Sequence, residues 1–177
     1  MLDSLYTTLF RPSKAPVAPP LHVAWGIWLV ISLIEAMRLA GAISVGPLGL
    51  VVLLTLVFGV NVIGWFWLAA ASNLLAQVLG GKGSGEPVLT SIAQGFWPLI
   101  LLAPLAAAQP WLGVLSPMFT FGVFAWVFAG VMRAIGRTQS LSAGRSALVL
   151  VLSGTAFGLG LGALGIVPVL ALISALA

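Results

Sequence analysis

Apolar runs broken by short clusters of glycine, proline and charge divide the chain into five stretches, each long enough to form a membrane-crossing helix. The first covers about residues 22–43 and opens after APVAPP, with His22, Trp25 and Trp28 expected at interfacial depth. The second, about 48–79, is introduced by Gly46-Pro47 and closed by Gly80-Gly81. It is longer than a hydrocarbon core of about 30 Å requires at about 1.5 Å per residue, so it must tilt, project into the cytosol, or bend, with Asn61/Gly64 the natural place. The third, about 88–107, is expected to start at Pro87 and to be bent by Pro98 and Pro104. The fourth, about 115–135, has Pro117 near its start and an aromatic series of Phe119, Phe121, Phe124, Trp126 and Phe128 that faces either lipid or the bundle. The fifth, about 146–173, is glycine-rich in its middle and interrupted by Pro168. The fold class expected is an all-α membrane protein, a bundle of five transmembrane helices over residues 22–177 preceded by a cytoplasmic or interfacial segment over 1–21.

Composition strengthens this reading. Of 177 residues, 61% are hydrophobic and 6% charged, with a mean hydropathy of +1.21. Soluble domains carry about 25% charged residues, so the solvent for this surface is lipid. Leu2, Leu5, Tyr6, Leu9 and Phe10 recur at helical spacing, which fits a short amphipathic helix in the interface; a tail without fixed structure is the other reading. The segment has an acid near its start and no continuous apolar stretch, unlike a signal peptide.

Charge placement orients the spans. Arg11 and Lys14 precede the first, Lys82 lies between the second and third, and Arg133, Arg137 and Arg145 lie around the join of the fourth and fifth. The alternate connections, AISVGPLG and AAAQPWLGVLSP, carry no charge. Six of the seven basic residues therefore fall on one side, which the positive-inside rule makes cytoplasmic. Five spans then put the N-terminus in the cytoplasm and the C-terminus outside, in a multi-pass protein of the cell (inner) membrane. A formal charge of +4 spread in this way sets topology and is too sparse for a nucleic-acid face.

The chemistry-bearing residues are few. GGKGSGEP, over residues 80–87, is the most conspicuous motif. A phosphate-binding loop would need Ser or Thr after Lys82 and a strand before the loop; here Gly83 follows and a membrane helix precedes. The glycines Gly80 and Gly81 are instead expected to end a helix, with Lys82 anchoring the turn to headgroups. Glu35 and Arg38 stand at i, i+3 within the first span, where they can pair; ion or substrate passage is the functional reading, and snorkelling of Arg38 to the interface the structural one. Asn61, Asn73, Gln77 and Gln94 are expected to hydrogen-bond between helices. Gly154, Gly158 and Gly162 form a doubled small-xxx-small face, which fits close packing inside the bundle or against a second copy. Cysteine is absent, a single histidine (His22) makes no metal site, and no nucleophile elbow or triad stands out, so no catalytic, cofactor or metal residues are expected.

Three stretches taken in order, LFRPSKAP, NLLAQVLGGKGSGEPVLTSIAQGFWPLILLAPLA and GVMRAIGRTQSLSAGRSALVLVL, resemble bacterial members of the Yip1 domain family over about residues 8–155. The positions matching that family's motifs are Gly80, Gly81, Lys82, Gly95, Phe96 and Pro98. The resemblance implies five membrane helices with a cytosolic N-terminus. Eukaryotic relatives are trafficking proteins that associate with prenylated Rab GTPases, so it also implies a non-enzymatic scaffold or adaptor in membrane organisation. The partners expected are the lipid bilayer and a membrane protein or a second copy of the chain, without nucleic acid. A small-molecule or ion transporter using Glu35/Arg38 is the alternative, motivated also by the prolines within the last three spans.

Overall fold

The computed structural model describes residues 20–43 and 46–176, with side chains over 20–41 and 46–160. The amphipathic pattern of Leu2, Leu5, Tyr6, Leu9 and Phe10, the cations Arg11 and Lys14, and the side-chain environment expected of Gly162 lie outside the described residues. Among the described residues six α-helices follow one another: α1 (Leu21–Ile43), α2 (Pro47–Val78), α3 (Gly85–Gly95), α4 (Leu102–Leu112), α5 (Ser116–Gln139) and α6 (Ala143–Leu176). Short 3-10 segments, Trp97–Leu101 and Gly113–Leu115, join α3 to α4 and α4 to α5.

Among the described residues, four continuous helical stretches are long and apolar enough to cross a membrane: Leu21–Gly41, Pro47–Val78, Gly85–Gln139 and Ala143–Gly160. The difference from the five expected spans lies in the third stretch, of 55 residues, where no extended linker separates the third span from the fourth. Drawn straight, such a stretch would reach about 80 Å at about 1.5 Å per residue. Its two ends meet instead: the Gly83 amide donates to Gln139 Oε1 at 3.0 Å. The stretch therefore leaves one end of the bundle and returns to it. The reversal falls at Gly113, whose φ of 49° closes α4 without the steric penalty a side chain would meet.

Several local details differ from expectation. α2 continues without interruption past Asn61 and Gly64. Gly64 instead admits a ring from α6, since a Cβ there would lie 3.2 Å from Phe157 Cζ. Pro87 is the third helical residue of α3, which begins at Gly85. α3 ends at Gly95, and Pro98 stands in the first turn of the 3-10 segment rather than within a bent α-helix. α6 runs on past Pro168 to Leu176.

The core lies where α1, α2, α3, α5 and the first turns of α6 meet. Trp65 of α2, 1% exposed, packs edge-on to Trp25 with ring centres 5.4 Å apart, and its Nε1 donates to Leu89 O at 2.7 Å. Trp28 lies 5.0 Å from the Phe96 ring. Both α1 tryptophans thus pack against the bundle, Trp28 buried and Trp25 half-buried. In α5 the buried positions Val123, Val127, Val131 and Ile135 recur every four residues, one apolar stripe of a helix. The aromatic series Phe119, Phe121, Phe124, Trp126 and Phe128 is exposed on the remaining faces, the arrangement suited to lipid. Ser72 of α2 donates to Ser153 of α6 at 3.1 Å, and Ser153 in turn donates to Val149 O at 2.8 Å, so these buried hydroxyls are satisfied within the bundle.

Candidate functional site

The GGKGS turn connects α2 to α3 and is fastened to the far end of α5. Gly80 has φ 89°, the left-handed conformation that ends α2. The Gly81 amide returns to Ala76 O at 2.7 Å, and the Lys82 amide donates to Gln139 O at 3.2 Å. Gln139 holds the turn a second time through its side chain. Its Oε1 accepts the Gly83 amide at 3.0 Å while its Nε2 donates to Asn73 Oδ1 at 2.8 Å. This glutamine is 0% exposed, so both ends of its amide must find partners within the protein. The space around it is too tight for β-carbons: one on Gly81 would lie 2.7 Å from Gln139 Oε1, and one on Gly83 would run into Thr138 O.

Two further contacts lock the same end. Arg145, near the start of α6, donates from Nη1 to Leu79 O at 3.2 Å, satisfying a carbonyl left open where α2 ends. Ser140 takes the left-handed conformation (φ 54°) at the end of α5, and the Leu141 amide closes on Gly136 O at 3.0 Å. The α2–α3 and α5–α6 turns therefore form one rigid polar platform, carrying Lys82 and Arg145 among its exposed side chains.

Gly95, Phe96 and Pro98 lie at the other end of α3, roughly 16 Å away along its axis. They form a separate cluster. Gly95 is buried against α5: a Cβ there would lie 2.7 Å from Val131 Cγ2 and 2.8 Å from Val131 N. Gly130 complements it, with Gly95 O 3.2 Å from where its own Cβ would be. The two glycines let the α3 and α5 backbones touch. Sequence spacing alone does not single out Gly130, because its partner lies 35 positions earlier in the chain. Gly154 and Gly158, by contrast, face open space, with no described atom within 4 Å of an added Cβ.

Glu35 is set against α2. Asn61 Nδ2 donates to Glu35 Oε2 at 2.8 Å and contacts Ser32 Oγ at 3.1 Å. Glu35, Arg38, Leu39, Leu56, Val57, Val60 and Asn61 line a cleft of about 600 Å³ between α1 and α2. Arg38, Leu39, Leu56 and Val60 are exposed, so the cleft opens on the flank of the bundle. The structure thus joins Glu35 to Asn61 of the neighbouring helix, with Arg38 on the same wall. Asn61 and Asn73, both half-buried, bond between helices as expected.

Long apolar helices, a tryptophan-rich core and polar turns confined to helix ends define a multi-pass α-helical membrane protein in contact with the lipid bilayer. The family model for the Yip1 domain matches residues 7–164, nearly the whole chain, and the protein belongs to that family. No curated protein and no solved structure matches the chain.

Proposed function

We propose that the protein is a non-enzymatic membrane scaffold or adaptor that presents its basic end to a membrane-protein partner. In this reading the bundle has five spans, the Gly85–Gln139 stretch contributing two, with a cytoplasmic N-terminus and the C-terminus outside the cell (inner) membrane. The observation that carries it is the locked polar platform. Gln139, Asn73, Gly83 and Arg145 fasten two turns together at the end bearing Lys82, Arg137 and Arg145, while the core below is filled with apolar side chains. A rigid polar face on a filled bundle suits recognition better than passage of a solute. Family membership supports a role in membrane organisation or trafficking.

The test is affinity capture of the full chain in mild detergent. A stoichiometric membrane-protein partner is expected, with recovery reduced about tenfold by Lys82→Glu, a charge reversal at a recognition face. Lys82 holds the turn through its backbone amide and has an exposed side chain, so this substitution leaves the platform standing.

A second reading, a small-molecule or ion transporter, draws on the Glu35–Asn61 contact in the α1–α2 cleft. An intramembrane carboxylate bonded across helices is the usual mark of a proton or ion path. Proteoliposomes carrying a pH-sensitive dye separate the two readings. Equal proton leak in wild type and Glu35→Gln is expected of a scaffold, and flux abolished by Glu35→Gln would transfer the function to the cleft.

A further inference from the structure

A second cleft, of about 520 Å³, lies beside the platform between the end of α5 and the start of α6. Met132, Arg133, Gly136, Arg137, Leu141, Ala143 and Ser146 line it. Its chemistry is divided. Arg133 and Arg137 stand at i, i+4 on α5, so their guanidinium groups share one wall. Met132 and Leu141 supply apolar surface, and Ala143 is the first residue of α6, whose N-terminus carries a partial positive charge. No carboxylate lines the cleft among the described residues.

The cleft is a built feature of the turn. Gly136 permits α6 to approach, since a Cβ there would lie 2.9 Å from Ser146 Oγ. The Ser146 hydroxyl is occupied with Ser142 O at 3.0 Å, and the Leu141 amide with Gly136 O at 3.0 Å. These bonds fix the backbone on both sides of the cleft. Its position is equally specific. Arg133 is six residues before the end of α5, about 9 Å inside the helix terminus, and Arg137 is one turn closer to it. Long basic side chains within two turns of the end of a membrane helix reach toward headgroup phosphate.

From this geometry we propose that the α5–α6 cleft binds the headgroup of an anionic phospholipid. Arg133 and Arg137 hold the phosphate through charge-assisted hydrogen bonds, and Met132 and Leu141 lie against the glycerol backbone and the start of the acyl chains. A basic pocket between helices with an apolar edge suits an amphiphile better than a free anion. The site shares Arg137 with the basic end described above, but Lys82, whose substitution tests partner binding, is not part of it.

The test is native mass spectrometry of the full chain in detergent titrated with phosphatidylglycerol, with phosphatidylcholine and inorganic phosphate in parallel. Saturable binding of one phosphatidylglycerol is expected, without matching adducts of phosphatidylcholine. Each cation near an anionic headgroup contributes about fivefold to affinity, so Arg133→Gln with Arg137→Gln should weaken binding about 25-fold. Lys82→Gln, which removes a charge outside the cleft, should leave it unchanged. Should the double variant fail to fold, Ala143→Trp fills the cleft from an exposed position and keeps both charges; loss of binding is expected there too. Undiminished binding in whichever variant folds would overturn the assignment. So would competition by inorganic phosphate at the lipid's own concentrations, which would make the site one for a free anion.

Discussion

Replacing Gly95 by alanine is expected to destabilise the protein by about 2 kcal/mol, even though alanine is the better helix former by about 1 kcal/mol. The added carbon would sit 2.7 Å from Val131 Cγ2, 2.8 Å from Val131 N and 2.9 Å from Val131 Cα. The side-chain contact could be relieved by a rotamer change, but the two backbone atoms belong to a helix and can move only with it. Separating α3 from α5 would also loosen Phe96 from Trp28 and Val131 from the core. Gly158→Ala is the matched control, since its Cβ meets nothing within 4 Å. It should be neutral or slightly stabilising in the monomer. Unfolding curves in detergent for the two variants check both signs at once, and equal stability would mean that α3 and α5 are not in backbone contact.

Gln139→Leu is expected to have a comparable or larger effect, a loss of about 3 kcal/mol from two buried hydrogen bonds and the polar groups they leave open. Leucine preserves most of the volume, so the loss reports on polarity more than on packing. Gly83 N and Asn73 Oδ1 would both lose the partner they have at 3.0 and 2.8 Å. The bond from the Lys82 amide to the backbone carbonyl of residue 139 would remain. The damage should therefore concentrate in the turn: limited proteolysis should cut the leucine variant between residues 80 and 85 well below its global unfolding temperature. Resistance equal to wild type would show that the side chain is not what holds the turn.

Much of this architecture could be read from local patterns, and the rest depended on partners distant in sequence. The apolar runs marked α1, α2 and α6 within a few residues, because hydrocarbon length imposes a local requirement on each. Gly80 read correctly as a helix terminator, since a left-handed residue after an apolar run is also a local signal. The third stretch was legible in part: the reversal at Gly113 falls within the uncharged AAAQPWLGVLSP connection, but Pro98 lies where α3 has already ended. Gln139 gave little sign of its role, because it looks like one more polar residue before a basic turn. Its burial follows from Gly83, 56 positions earlier, whose missing side chain makes the space. The most regular glycine series, Gly154 and Gly158, faces open space, whereas the irregular pair Gly95 and Gly130 makes the intimate contact. Glycine spacing reports which face of a helix is smooth, and not which face is covered.

Sidedness of the turns tests most directly the claim that Gly85–Gln139 is an out-and-back limb placing the basic turns on one face. The chain contains no cysteine, so single cysteines introduced at exposed positions can be labelled without background. Lys82→Cys, Ser142→Cys and Val114→Cys sample the two basic turns and the reversal between them. In sealed vesicles of both orientations, a membrane-impermeant maleimide should label positions 82 and 142 from the cytoplasmic face and position 114 only from the opposite face. Labelling of position 114 together with 82 and 142, or of 82 and 142 from opposite faces, would contradict the five-span bundle and the single basic platform built on it.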